Sequence, residues 1–190
     1  MVDISPRVEM TRARLRAAAI AVFARKGFHD TKVSDIVAEA GLSQPAFYLH
    51  YASKDAAYEA LVAAFRTRLL DATRQCLIFA EIRAADVPDN VRASFVRFLT
   101  VLSADPALTE IGFYQLPGSS LTRAQMTLWS MENMRQEQAA GILRADIPVL
   151  HQAQLVMGLL DQMGRLTPDE VPGIADICAA LFCSALVVRK

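Results

Sequence analysis

The side chains with chemistry to offer crowd into one short stretch. Ser43, Gln44, Pro45, Ala46, Tyr48, Leu49 and His50 lie together, and Lys54 follows four residues on. A glutamine carboxamide holds a donor beside an acceptor, the pairing that suits the exposed edge of adenine. Pro45 and Ala46 offer carbon surface to a thymine methyl. The Tyr48 hydroxyl, the His50 imidazole and the Lys54 ammonium can reach phosphate oxygens. Lys54 also opens a long helix, whose unpaired first amides attract an anion.

Other chemistries find no such cluster. The sequence has no GxSxG, no HExxH, no phosphate loop and no paired carboxylates, so an enzyme is not expected. His29 and His151 stand alone, and Cys76, Cys178 and Cys183 form no CxxC or Cys/His pattern. No metal, no cofactor and a reduced, cytoplasmic setting are expected, with cysteines as core fillers. No run of eighteen apolar residues is present, although 53% of the 190 residues are hydrophobic, so no membrane span is expected. The opening residues MVDISPRVEM lack the apolar core of a secretory signal.

The elements that must position the cluster are helical throughout, and no stretch alternates as a strand does. Leu15, Ala18, Ala19, Val22 and Phe23 mark one face of a helix over about Met10–Lys26, stopped by Gly27. A second helix spans about Lys32–Ala40, with Thr31 as N-cap, Asp35 in the first turn and Val33, Ile36 and Val37 inward. Gly41, Leu42 and Ser43 make a turn. A third helix then runs to about Tyr51, capped by Ser43 on the Ala46 amide, with Pro45 in the first turn and Phe47 inward. Ser53 caps a fourth helix, about Lys54–Glu81, with a stripe of Tyr58, Leu61, Val62, Phe65, Leu69, Cys76 and Phe79. Prolines and glycines divide the remainder into helices near 89–104, 107–114, 120–140, 149–165 and 173–188. The fold class expected is all-α: an N-terminal three-helix helix-turn-helix domain at 8–53, then a helical body at 54–190, about nine helices in all.

Net charge is zero, but it is unevenly placed. From Arg7 to Lys54 there are eight basic residues against four acidic ones. A basic head on an acidic body suits a polyanion such as DNA.

The stretch from Arg14 to Leu61, which contains AVFARKGFHDTKVSDIVAEAGLSQPAFYLHYASKDAAYEAL, resembles the N-terminal domain of TetR-family transcriptional regulators. The matching elements are Phe23, Gly27, Thr31, Val33, Ile36, Ala40-Gly41, Ser43, Phe47-Tyr48, His50-Tyr51 and Ser53-Lys54, without a gap. The resemblance implies that Thr31, Lys32 and Ser34 meet phosphate or a base edge, although many members carry arginine where Ser34 stands. It implies that Gln44, Pro45, Ala46 and Tyr48 read sequence while His50 and Lys54 grip the backbone; Arg12 and Arg14 would lie near a phosphate. It also implies a homodimer on a palindromic double-stranded DNA operator, with heads roughly 34–36 Å apart. Such a protein would be cytoplasmic, and on the nucleoid when bound.

In the body, the family's last two helices usually pair between subunits. Here Leu155, Val156, Leu159, Leu160, Ile177, Leu181, Phe182 and Ala185 would supply the apolar faces. Asp161 and Gln162 would either join that interface or orient a ligand. Phe65, Phe95, Phe98, Leu102, Phe113, Tyr114, Trp129, Met134 and Met157 are candidates to line a cavity for a small hydrophobic effector, such as an acyl chain, a fatty acyl-CoA or an aromatic compound. The fourth helix would be the lever between effector and DNA, releasing a repressor. The alternative is a lipid-binding or protein-interaction bundle without DNA binding, which leaves the Gly41-to-Lys54 signature unexplained.

Overall fold

Residues at helical spacing do form the helices the sequence calls for, and their ends are where physics beyond periodicity intervenes. In the computed structural model, which describes residues 6–188, Leu15, Ala18, Ala19, Val22 and Phe23 are the buried stripe of α1 (Pro6–Asp30). This helix is longer at both ends than the expected Met10–Lys26. Gly27 interrupts it at φ 77°, a backbone state that glycine adopts without a Cβ penalty. Among the described residues no strand forms; Leu143 and Val187 make an isolated antiparallel bridge.

Helices α2 (Val33–Ala40) and α3 (Gln44–Tyr48) follow. Thr31 does not cap α2. Its hydroxyl donates back to the Gly27 carbonyl at 2.7 Å, where the chain leaves α1, and Lys32 takes the cap position. The Lys26 ammonium on the Asp35 carboxylate at 2.9 Å, with the Lys32 amide donated to it also at 2.9 Å, holds its pKa below the ordinary value. Helix α4 (Lys54–Arg74) starts as expected, with Ser53 Oγ accepting the Ala56 amide at 3.0 Å. It ends seven residues before the expected Glu81. The Cys76 amide turns back to Thr73 O, and the Ile78 amide is taken by the Glu137 carboxylate at 3.0 Å, so helical pairing cannot continue. Phe79, placed inward by its spacing, is exposed as a result. The apolar run Cys-Leu-Ile-Phe-Ala carries no stop signal that would have shown this.

Beyond α4, a 3₁₀ turn (Ala84–Asp86) leads into α5 (Val87–Ser103). The helix expected near 107–114 is instead a short α6 (Pro106–Thr109) and a wide π-helical turn (Glu110–Tyr114), closed by the Gln115 amide on Glu110 O at 2.8 Å. Then come α7 (Gly118–Ala139), α8 (Val149–Met163), a 3₁₀ turn (Pro168–Glu170) and α9 (Val171–Leu186). None of the helices among the described residues is long and apolar enough to cross a membrane.

The chain divides into two compact units. One takes the chain up to Arg66 together with Ala107–Ser120; the other takes Thr67–Pro106 and the chain from Leu121 on. The expected head, 8–53, falls wholly in the first unit, which also takes the first part of α4 and the 107–120 segment. Tyr58 fixes that segment. Its hydroxyl donates to Ile111 O and accepts the Gly118 amide, both at 3.0 Å. A Cβ at Gly112 would lie 2.5 Å from the Phe65 ring, and one at Gly118 would lie 2.6 Å from Ile111 O, so both positions require glycine for closeness. In the second unit α5 packs along α9, with the Phe95 and Phe182 rings edge to face at 6.1 Å and an Arg92–Asp176 ion pair on the rim.

Candidate nucleic-acid interface and apolar cavity

The turn before α3 is built by main-chain geometry. Gly41 sits at φ 61°, its amide on Ala38 O at 3.1 Å and the Leu42 amide on Val37 O at 2.9 Å, a closure that ends α2 sharply. Arg14 completes it, donating to Ala40 O at 2.7 Å. This residue, placed near a phosphate by the sequence reading, therefore serves as a brace for the turn. Ser43 Oγ accepts the Ala46 amide at 3.4 Å, as its position promised. Phe47 is fully buried and makes ring contacts with Tyr48 and Tyr51, which pins a five-residue helix that could not stand alone.

With Phe47 as anchor, the opposite face is open. Ser43, Gln44 and Pro45 are exposed, Tyr48 is 53% exposed and Leu49 84% exposed; Ala46 and His50 are half-buried. Leu49 and His50 also border a groove beside α1 lined by Val8, Glu9, Arg12, Ala13 and Arg16. Arg12 and Arg16 therefore share one concavity with His50. Arg12 is among the residues expected near phosphate; Arg16, one helical turn on, joins it here.

On α2, Lys32 and Ser34 are exposed, but Thr31 is 1% exposed with its hydroxyl engaged. This is a correction: its side chain is a structural clasp on Gly27, not a surface donor. Lys54 is likewise engaged within the head. Its ammonium donates to Phe28 O at 2.8 Å and His29 O at 3.3 Å, and lies 4.4 Å from the centroid of the Phe28 ring. It ties the end of α1 to the start of α4. Ion pairs Arg25–Glu39 and Lys26–Asp35, both 2.9 Å, brace α1 against α2, so part of the head's positive charge is neutralised there.

The second unit contains a cavity of about 60 Å³ lined by Thr73, Cys76, Ile78, Val91, Ser94, Phe95, Phe98, Ser130, Asn133, Met134, Glu137, Val156 and Phe182. Phe95, Phe98 and Met134 are where the sequence reading put them. Leu102 and Met157 are buried elsewhere in this unit, and Trp129 is half-buried off the cavity. Phe65, Phe113 and Tyr114 belong to the first unit, where Phe65 faces Gly112. Val156 and Phe182, assigned to a subunit interface, line this cavity instead, and Leu160 is fully buried within the protomer. Phe182 faces inward against Phe95 of α5, and Val156 lines the same cavity. What remains outward on α8 and α9 is Leu155, Ile177 (49% exposed) and Leu181 (46% exposed), with Leu159 and Ala185 half-buried beside them. Asp161 pairs with Arg123 at 2.8 Å, and the Gln162 amide donates to it at 3.3 Å.

Glu137 is the residue the sequence reading missed. It is 4% exposed, and burial pushes its carboxyl up to about 7 against the one hydrogen bond from Ile78 that favours its charge. A signal existed: Thr122, Met126, Ser130, Met134 and Glu137 fall at helical spacing, so the buried stripe of α7 is unusually polar and ends in an acid. Burial also raises the thiols of Cys76, Cys178 and Cys183, in keeping with unreactive core cysteines. Among the described residues no cluster of His, Cys, Asp or Glu could hold a metal.

Known proteins share these features. The family model for bacterial regulatory proteins of the tetR family matches residues 15–61. The uncharacterized HTH-type transcriptional regulator YdgC of Bacillus subtilis is 31% identical over 153 residues, 80% of this chain and 78% of that protein. A tetR-family regulatory protein from Rhodococcus RHA1 superposes with a TM-score of 0.75 at 23% identity, covering 95% of this chain and 98% of the other. SmeT, the repressor of the Stenotrophomonas maltophilia multidrug efflux pump SmeDEF, superposes with a TM-score of 0.70 at 19% identity, covering 94% and 91%. The span and identity of the match to YdgC, with the family's own pattern lying over the helix-turn-helix, settle the assignment: the chain belongs to the TetR family of bacterial regulatory proteins, which are transcriptional regulators and not enzymes.

Proposed function

We propose that this regulator is a homodimeric repressor that binds a palindromic double-stranded DNA operator and leaves it when a small, largely apolar effector occupies the cavity of its second unit. The observation that carries the reading is the exposed face of α3: Gln44, Pro45, Tyr48 and Leu49 stand out from a helix whose only deep anchor is Phe47. Gln44, Pro45, Ala46 and Tyr48 would read base edges and a thymine methyl, while Ser43 and His50, with Lys32, Ser34, Arg12 and Arg16, would position the head on phosphates. The repressor sense is that of SmeT.

The head would comprise residues 8–53 and the sensing and dimerising part 54–190. The outward residues Leu155, Leu159, Ile177, Leu181 and Ala185 would pair α8 and α9 with those of a second copy, because exposed leucines and isoleucines on adjoining helices seek cover. Helix α4 carries Tyr58, and α7 starts at Gly118, on Tyr58, and carries Glu137 of the cavity wall near its end. An effector that prefers one setting of α7 would therefore act on the heads, with typical coupling of about 1–3 kcal/mol.

The test is an electrophoretic shift on DNA from upstream of the chain's own gene at two salt concentrations. Binding that weakens steeply with salt supports the reading. Binding of an apolar ligand with no DNA shift at any salt concentration would favour a lipid-binding bundle.

A further inference from the structure

The cavity walls are apolar over Ile78, Val91, Phe95, Phe98, Met134, Val156 and Phe182, yet one end is polar in a particular sense. Most of the protons there already have partners in the protein; among the described residues, the Ser130 hydroxyl and one Asn133 N–H are the exceptions. The Thr73 hydroxyl donates to Leu69 O at 2.8 Å and the Ser94 hydroxyl to Asn90 O at 3.0 Å. One Asn133 N–H goes to Thr73 O at 2.8 Å, and the Cys76 thiol to Ala72 O at 3.0 Å. Glu137 Oε1 accepts the Ile78 amide, and Oε2 has no partner among the described residues. What these groups have left to offer is mostly lone pairs, beside the second Asn133 N–H and the Ser130 hydroxyl. The lining contains no lysine, arginine or histidine; Cys76 is the other titratable group on it, and Arg97 of α5 approaches that thiol.

A wall rich in acceptors that ends in a buried carboxyl suits a guest that donates hydrogen bonds. Resting on the effector reading above, we propose that the cavity takes a compact amphiphilic amine, an apolar body of one ring or a short chain whose ammonium sits on Glu137 Oε2. An ammonium brings three donors and no acceptor, the complement of this end of the cavity. Its charge would pair with a carboxylate that burial otherwise disfavours. The rings of Phe95, Phe98 and Phe182 would face the body, and an ammonium beside aromatic faces gains cation–π attraction. The volume sets the size. About 60 Å³ is well under the roughly 150 Å³ apolar cavity that holds benzene, so a one-ring guest enters only as Met134 and the neighbouring side chains yield to it. Where Glu137 is ionised, carboxylate ligands are disfavoured, because they would face it with like charge.

The test compares four probes with one apolar body on the full-length protein: benzylamine, benzyl alcohol, phenylacetate and toluene, titrated by calorimetry. Benzylamine is expected to bind at least tenfold more tightly than the others at about pH 8. Benzylamine keeps its charge through this range while Glu137 gains a proton, so its binding is expected to weaken about tenfold at about pH 6. Glu137→Gln, with its fold checked by circular dichroism, should abolish the preference for the amine and keep binding of benzyl alcohol. The head-group and pH comparisons need no variant. Equal or tighter binding of phenylacetate, no pH dependence, or no binding of benzylamine overturns the proposal. The readout is independent of DNA. An amine preference in a protein that shifts no DNA would refute the repressor reading alone, and DNA binding without the preference would refute the ligand class alone.

Discussion

Replacing Glu137 by glutamine should make the protein more stable, and only above mildly acidic pH. In the folded chain this carboxyl is pushed up to about 7 by burial, from an ordinary 4.5. Because the folded value is the higher, the folded state holds its proton while the unfolded chain releases it. The stability from that retained proton is complete below about 4.5 and has been lost once the pH passes about 7. A displacement of this size corresponds to about 3 kcal/mol at the plateau. Glutamine keeps an oxygen for the Ile78 amide, now held by the carboxylate at 3.0 Å, and carries no charge to desolvate. Its NH₂ in place of Oε2 needs an acceptor, which lowers the gain, so about 1–3 kcal/mol is expected at about pH 8 and close to none at about pH 4. For a chain of this length each kcal/mol moves Tm by roughly 2–4 °C. Thermal and urea unfolding of both proteins across this pH range read the effect. A variant no more stable than its parent at about pH 8, or one with the same gain at about pH 4, refutes the claim that Glu137 is a desolvated acid.

Three further outcomes follow from particular contacts. Tyr58→Phe leaves the buried Ile111 carbonyl and Gly118 amide without their shared partner and should cost about 1–3 kcal/mol in urea unfolding. Gly112→Ala places a Cβ 2.5 Å from the Phe65 ring and should cost a similar 1–3 kcal/mol or so, which Phe65→Leu in the same chain should partly restore. Leu181→Glu, on the outward face of α9, should give a folded monomer in sedimentation velocity, whereas the same change at a surface position such as Ala180 should leave the oligomeric state alone.

Much of the head was legible because its signals are local. Gly27 and Gly41 at positive φ, the Ser43 and Ser53 caps and the buried Phe47 each follow from a residue and its immediate neighbours. The side chains that reach across the fold were not. Thr31 reads as a cap until its hydroxyl is seen on Gly27 O, and Lys54 reads as a phosphate ligand until it is seen on Phe28 and His29 carbonyls. Helix α4 could not be ended from sequence, since the partner that takes its onward amide, Glu137, lies fifty-nine positions away from Ile78. The body posed a different difficulty. An apolar residue on α8 or α9 fits a core, a cavity or a subunit interface equally well by type, and Val156, Leu160 and Phe182 differ from Leu155, Ile177 and Leu181 only in which side of each helix is buried.

The central claim is that the outward face of α3 reads DNA, and the direct test is the affinity of a selected duplex for the parent protein and for the Gln44→Ala/Tyr48→Ala double variant. Both side chains are exposed, so the variant should fold as its parent does. A loss of about 1–3 kcal/mol is expected for each base contact removed, with weak salt-dependent binding to unrelated duplexes retained. Operator affinity unchanged in the double variant would contradict it.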